Sequence, residues 1–398
     1  MMKPETRIYA DAFLQNVKNV AFFTFLPVLI ARLGASDFVI ALSNTLPAAF
    51  CALSLAFLTR QLPVTRRVFL ASGYIRQVAF LMMALSVLLP NPFPALFFFW
   101  AINAVSVIVM SAQQPAIMRR HVDTAEFPKM FSRLKMIGIA VTTAGGFAIG
   151  AALDATDRFF PYNYVASMLI GCVSTFAGMS LIAELAPRES VRFRLGLVRP
   201  FRECTPRMWW MGLNQTALFM AQPLFVIYHV NRLGLSNTQI AYFVVVSGAA
   251  ATLAMPWARR WIERWGAMRV YGAALLAMPV VLLPYGLIDA FPLLIIAQAV
   301  LGVGSAVQEV AAQAIMMEDA PKHKKEMDYF SDWQLVMQLG MAIGPMLAAI
   351  LLEFTPVWLC FAVVAVVRVA VFWMGAKAGA ESEMRASAAF RFFRSTEQ

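Results

Sequence analysis

The sequence predicts an all-α membrane protein: twelve transmembrane helices arranged as two parallel six-helix repeats, with both termini cytoplasmic. Three observations carry this. First, 60% of the 398 residues are hydrophobic and 14% are charged, against roughly 45–50% and about 25% in soluble domains. So much apolar surface does not fit inside one water-soluble core. Second, one ten-residue phrase is written twice, as RLGASDFVIA at 32–41 and RLGLSNTQIA at 232–241. Third, the basic residues are segregated. Of 33 Lys and Arg, 27 fall in loops and helix ends on the N-terminal side of the predicted spans, and three (Arg32, Arg158, Arg232) fall on the other side. Such a bias places the basic side in the cytoplasm.

Taken in order, the spans cover roughly 8–32, 38–59, 67–89, 93–118, 130–154, 162–186, 208–231, 237–259, 268–288, 291–317, 328–353 and 356–377. Each has the length of about 20 mainly apolar residues that a bilayer crossing needs. Span 1 carries NVAFFTFLPVLIA (19–31) and ends at the first copy of the doubled phrase, which opens span 2. Span 3 contains Arg76. Span 4 ends in AIM (116–118), and span 5 opens with Phe-Ser (131–132) and contains GFAIGA (146–151). Span 6 runs into APRESVRFRLGLVRPFRECTPR (186–207), a basic, proline-bounded stretch at the midpoint of the chain. The second half repeats these landmarks. The doubled phrase joins spans 7 and 8, AIM recurs at 314–316 in span 10, Phe-Ser at 330–331 opens span 11, and MAIGPM follows at 341–346. The offset stays between 194 and 200 throughout, a register that chance matches would not keep. Span 12 is VWLCFAVVAVVRVAVFWMG at 357–375.

The expected organisation is therefore an N-terminal six-helix bundle (1–186), a basic cytoplasmic linker (187–207), a C-terminal six-helix bundle (208–378) and a cytoplasmic tail (379–398). Both copies start on the same side, so the repeats are parallel and related by an axis along the membrane normal. Halves of this kind place a substrate site at their interface near mid-membrane. The net charge of +11 follows from the loop bias and does not call for nucleic acid. The aromatic-basic end FRFFR (390–394) suits either a membrane surface or a disordered tail. The start shows no small-residue cleavage site, so the first helix is expected to be retained.

These features resemble the major facilitator superfamily of secondary transporters over nearly the whole chain. The family's loop signature between spans 2 and 3 is echoed between spans 8 and 9 by RRWIERWGAMR (259–269), where Glu263 and Arg264 stand at the acid-base positions and Gly266 at the second glycine. The resemblance implies that Glu263, Arg264, Gly266 and Arg269 form a conformational lock on the cytoplasmic side. The first-half counterpart, FLTRQLPVTRR (57–67), keeps only the basic residues. GMAIGP (340–345) is like the family's Gly-x-x-x-Gly-Pro bend, whereas span 5 has Ala151 in place of the proline. The arginine often carried in span 4 is missing, and Asn103 lies in that region. Gly146/Gly150 and Gly340/Gly344, with Pro345, are expected to act as helix bends or packing seams, because Gly-x-x-x-Gly lets backbones approach closely. The family also implies a monomer, in the cytoplasmic (inner) membrane if the source is bacterial.

Charges at membrane depth are costly and need a partner, a cavity or a task. Span 1 carries Asp11, Gln15, Lys18 and Asn19, with Phe22 following, all within about a 100° arc of a helix. This stripe is expected to face a water-filled cavity, unless Asp11 is wetted by the cytoplasm. Span 7 repeats the spacing with Met211, Gln215, Leu218 and Gln222, without the charges. Span 10 places Gln298, Ser305, Glu309 and Gln313 on one face. Glu309 is the clearest carboxylate among the core helices of the second half. It is read as a proton-coupling site together with Asp11, as a ligand for a substrate cation, or as a structural partner of Lys18 or Arg368. Trp100, Asn103, Met110 and Gln114 in span 4 and Gln338 in span 11 complete an expected substrate cavity of mixed polar and apolar character. Arg76 and Arg368 lie on helices that are usually peripheral, which points to structural partners or snorkelling.

Other classes find little support. Four scattered cysteines and three dispersed histidines make no metal spacing or nucleophile triad, no glycine-rich loop follows a strand, and no cofactor is expected. Transport must then run on a gradient or downhill. The leading reading is a proton-coupled secondary transporter of a small organic, amphipathic solute, with efflux favoured. The second reading is a transporter-fold protein without transport activity, serving as a scaffold or as a pigment or lipid delivery factor. The expected partners are a small-molecule solute, a proton or other coupling ion, and the lipid bilayer.

Overall fold

The computed structural model of the chain describes residues 2–58, 61–63, 65–119, 121, 127–187, 199–320 and 326–375. The tail at 379–398 with its FRFFR end, residues 188–198 of the predicted linker, and Arg60 of the first-half lock loop lie outside them. Twelve helices are present among the described residues. They are α1 (Pro4–Arg32), α2 (Asp37–Phe57), α3 (Arg66–Ser86), α4 (Phe93–Arg119), α5 (Phe127–Ala155) and α6 (Tyr162–Ala183). The second half adds α7 (Pro206–Val226), α8 (Asn237–Trp265), α9 (Ala267–Tyr285), α10 (Phe291–Asp319), α11 (Glu326–Phe354) and α12 (Val357–Gly375). Eleven are long and apolar enough to cross a membrane. The exception is α7, where Asn214, Gln215 and Gln222 dilute the apolar run.

The doubled phrase has a local physical cause. Gly34 and Gly234 both adopt positive φ, +80° and +60°, a conformation that favours glycine and stops a helix. Two residues on, Ser36 and Ser236 cap the next helix, their hydroxyls accepting from the amides of Val39 (3.3 Å) and Gln239 (3.2 Å). Ile40 and Ala41 are fully buried, as are Ala241 and, nearly, Ile240. The phrase is thus a stop, a cap and a buried first turn, written once per half. The two first helices differ elsewhere. Each contains a π-turn, at Asn19–Thr24 in α1 and at Ile227–Arg232 after α7, which is eight residues later than the repeat register of 200 would put it.

The halves meet where α2 packs along α11 and α5 along α8. On the face away from Pro4 and Gly375 the two halves share one apolar core. Phe25, Leu26 and Leu29 of α1 belong to it together with Leu224 of α7, Ile227, Tyr228 and Ala241. Polar ties reinforce this face. Asp154, at the end of α5, accepts hydrogen bonds from the backbone amides of Asn237 (2.9 Å) and Thr238 (2.8 Å) at the start of α8, and from Asn237 Nδ2 (2.9 Å). Tyr164 donates to Asn237 Oδ1 (2.7 Å), and Asn231 donates to Asp37 (2.9 Å). A carboxylate on exposed helix-start amides satisfies donors that have no partner within their own helix.

On the opposite face, the chain entering α7 is tied to the second half. Asp332 of α11 accepts from the amides of Phe201 (3.0 Å) and Glu203 (2.8 Å), and Arg207 pairs with Asp319 (2.8 Å).

The predicted glycine seams separate on inspection. A Cβ on Gly340 would lie 2.6 Å from the carbonyl oxygen of Gly212, and one on Gly344 would strike that of Thr216, so both glycines seat α11 on α7 within one half. Gly150 instead approaches the Asn237 carbonyl across the two halves, at 2.9 Å. Gly146 has nothing within 4 Å of its would-be side chain and forms no seam. Pro345 lies within α11.

Candidate functional site

The polar stripe of α1 divides between two environments. Asp11, Gln15, Lys18 and Phe22 point into the interior of the N-terminal bundle; Asp11, Lys18 and Phe22 are 2%, 8% and 1% exposed. Asn19, 80° further round from Asp11 at 100° per residue, is exposed. The neighbouring arc, Ala12 and Asn16, borders the space between the halves. Asn16 was available from the sequence as a polar residue in the same helix, on the arc beside the stripe. The wall of the central space is therefore formed by Asn16, whereas Phe22, whose ring packs 4.7 Å from that of Phe80, belongs to the bundle core.

Inside the N-terminal bundle these groups build a charged cluster. Gln15 Nε2 donates to Asp11 Oδ1 at 3.1 Å, and Gln114 Nε2 of α4 donates to Asp11 Oδ2 at 3.0 Å. Arg76 of α3 is 4% exposed, and its Nη2 donates to Gln15 Oε1 at 3.0 Å. Its Nη1 reaches only the Met110 sulfur, at 3.8 Å, and its Nε has no partner. Lys18 stands 5.4 Å from the centre of the Phe23 ring. Among the described residues, neither cation forms an ion pair with a carboxylate. A cavity of about 180 Å³ lies between these side chains, bounded by Met179 of α6 and by Ser111, an exposed residue of α4. Arg76 is thus an inward-facing member of the cluster and does not snorkel.

The corresponding region of the C-terminal bundle is built differently. Arg368 of α12 is fully buried and donates to Gln308 Oε1 of α10 at 3.0 Å, while Asn214 of α7 donates to Tyr271 of α9 at 2.7 Å. Glu309, next to Gln308, does not take part. It is exposed, together with Ser305 and Gln313, on the face of α10 opposite the outward apolar residues Ile296 and Val300. Gln313 Nε2 lies 3.4 Å from Glu309 Oε1. The expected partnership of Glu309 with Lys18 or Arg368 is absent, because the α10 side chain that meets Arg368 is Gln308. Gln298, on the same α10 face, is drawn into an aromatic nest and donates to Tyr285 (2.7 Å), whose hydroxyl also meets His229 Nε2 (2.9 Å).

Between the halves lies a larger cavity, about 390 Å³, bordered by Asn16 of α1, Thr142 and Thr143 of α5, and Val244 and Gly248 of α8. The two threonines carried no signal in the sequence, since isolated hydroxyls in an apolar span are common packing residues. The cavity lies away from the face sealed by Asp154 and Asn237.

The remaining predicted residues are dispersed. Trp100 is 8% exposed and sits in the core beside Phe23 (6.3 Å) and Phe97 (6.5 Å). Asn103 is 2% exposed, and its Oδ1 has no hydrogen-bond partner. Gln215 lies under the Gly340 seam, Gln222 is exposed, and Gln338 is half-buried. In the lock-like loop, Gly266 takes φ +82° between α8 and α9, Glu263 pairs with Arg259 at 2.8 Å, Arg264 stands over the Trp265 ring at 5.9 Å, and Arg269 is exposed. Among the described residues, no group of three or more His, Cys, Asp or Glu could hold a metal ion.

Comparison with known proteins places this geometry in context. The sequence profile of the Major Facilitator Superfamily matches residues 208–391, the second half of the chain. A search of curated proteins returns no significant match. Among solved structures, a bacterial homologue of the iron transporter ferroportin in an inward-facing state aligns with TM-score 0.73 and 14% identity, over 94% of this chain and 96% of that one. The nucleoside transporter NupG aligns with TM-score 0.68 and 11% identity, over 94% and 99%. A POT family transporter in complex with a thioalcohol-conjugated peptide aligns with TM-score 0.69 and 11% identity, over 95% and 96%.

Proposed function

We propose that this chain, a major facilitator by fold, is a secondary active transporter that moves a small organic, amphipathic solute by alternating access, with a proton as the coupling ion and efflux as the direction. One observation carries the reading. The interface between the halves is sealed on one face by a shared apolar core and the Asp154–Asn237 bonds, and elsewhere holds a cavity of about 390 Å³ between α1, α5 and α8. A two-bundle fold closed on one face and hollow beyond it has the form of one end state of a rocking transporter. The structures of similar fold are a nucleoside transporter, a homologue of an iron transporter and a transporter in complex with a conjugated peptide, so the fold alone selects no solute. The mixed walls, Asn16 and two threonines against Val244, favour an amphipathic one.

For coupling, the two candidate carboxylates differ in access. Glu309 stands on an exposed face of α10, where a proton would reach it directly. Asp11 is enclosed with Lys18 and Arg76, where a change in its charge alters a cluster spanning three helices. The expected location is a bacterial inner membrane, with the protein acting as a monomer.

The test is flux in proteoliposomes with an imposed pH gradient, using a panel of fluorescent amphipathic solutes. Gradient-dependent accumulation that is lost in Glu309→Gln supports the proposal. Absence of gradient-dependent movement across the panel favours the scaffold or delivery reading.

A further inference from the structure

We propose that the cavity between Lys18 and Arg76, inside the N-terminal bundle, is an anion site that takes a single negative charge from a carboxylate or a small inorganic ion. The inference begins with the charges that line the cavity. The charged side chains bordering it are Asp11, Lys18 and Arg76, two cations and one carboxylate. The carboxylate is already engaged, one oxygen by the Gln15 amide and the other by the Gln114 amide. Neither cation is bonded to it. Arg76 uses Nη2 on a neutral amide and keeps Nε unpartnered, although the residue is 4% exposed. Lys18, 8% exposed, has an aromatic face as its neighbour.

Buried cations at membrane depth require a partner or water. The cavity of about 180 Å³ has room for either, since a water occupies about 30 Å³ of liquid volume. An anion satisfies both cations at once. A guanidinium with a free Nε–H is shaped to donate to an oxyanion, and an ammonium can approach the same anion from another side. The remaining wall supplies a hydroxyl, Ser111, and two thioethers, Met110 and Met179, which suits an anionic group on an apolar body. Ser111 is exposed, so the cavity has an opening on α4.

Equating this anion with the transported solute rests on the transporter reading; the site itself does not. The test uses the full-length protein in detergent at fixed ionic strength against a bulky sulfonate background. Thermal melting is followed during titration with sodium benzoate, its neutral isostere benzamide, and sodium chloride. A ligand of the folded state raises the melting temperature by mass action. Benzoate, chloride or both should raise it saturably, and benzamide should not. Lys18→Gln should weaken the effect at least about tenfold, whereas Lys18→Arg should keep it within about threefold. Because Lys18 donates no side-chain hydrogen bond among the described residues and meets the Phe23 ring, Lys18→Gln should fold and, without anion, melt no lower than wild type. A response to chloride alone assigns the site to a free inorganic ion, and a response to benzoate assigns it to a carboxylate. The proposal is overturned if neither anion exceeds benzamide, or if Lys18→Gln responds as wild type does. A melting response in a protein that moves no solute would keep the site and remove the transporter reading. Solute flux with no anion response would do the reverse.

Discussion

The two halves of this molecule share a backbone plan and differ in where they place charge. Each ends its first helix with a left-handed glycine, caps its second with serine, and buries one arginine, Arg76 in α3 or Arg368 in α12. In the first half the arginine joins a carboxylate, a lysine and a cavity. In the second it meets an amide, Gln308, with the Asn214–Tyr271 bond nearby in the same bundle. The second half's carboxylate, Glu309, stands on an exposed face of α10 and takes no part in the Arg368 contact. Duplication has kept the features that make spans and turns, which depend on local backbone geometry. It has not kept the interior chemistry, which depends on which side chains face one another.

The contrast can be broken most severely at matched repeat positions. Asp11→Asn replaces one buried carboxylate oxygen by an amide that faces the Gln15 or Gln114 donor, and should cost about 2–4 kcal/mol, because two buried donors are then left without an acceptor. Met211→Leu, two hundred residues on and 1% exposed, should cost less than about 1.5 kcal/mol. Melting in detergent separates the two, and equal losses would mean that the Asp11 cluster is ordinary packing.

The glycine seams give the next effect. Gly344→Val should cost about 1–3 kcal/mol, since the obstacle is the Thr216 backbone. Gly146→Ala meets open space and should be neutral or stabilising by up to about 1 kcal/mol through helix propensity. Opposite signs in a melting experiment would sharpen the distinction between α11 and α5.

Third, Asp154→Ala removes the ties that α5 makes to the start of α8, and should cost about 0.5–2 kcal/mol. A cysteine placed at Thr238 should then label faster on the sealed face. Unchanged labelling would assign the seal to the apolar core alone.

Smallest in stability and largest in activity is Glu309→Gln. An exposed side chain should change folding by no more than about 0.5 kcal/mol. If the variant melts several degrees below wild type, its carboxylate is structural, and the charge asymmetry between the halves narrows.

Much of this was legible in the residues. The twelve helices follow from apolar runs, and the doubled phrase marks the repeat because glycine with positive φ and a capping serine are needed at the same two joints. Asp11, Gln15 and Lys18 were identifiable as polar groups at membrane depth. The direction they face was not. A 100° arc read from periodicity treats one stripe as one environment, but α1 meets the bundle interior on one side and the central space on the other, so Asn19 and Asn16 part company with Lys18. Phe22 and Trp100, read as cavity walls, are core residues, because aromatic side chains at helical spacing look alike in either place. Asp154 gave no signal, since its partners are the amides of a helix more than eighty residues away in the chain.

What the sequence determined by itself is therefore local or averaged: span lengths, the repeat, the joints and the basic bias of one side. These depend on short-range backbone preferences and on summed transfer free energies. Only the tertiary structure decided that Arg76 and Lys18 converge on one cavity while Arg368 meets an amide. Helix rotation and pairing set those encounters, and both are fixed by packing among distant segments.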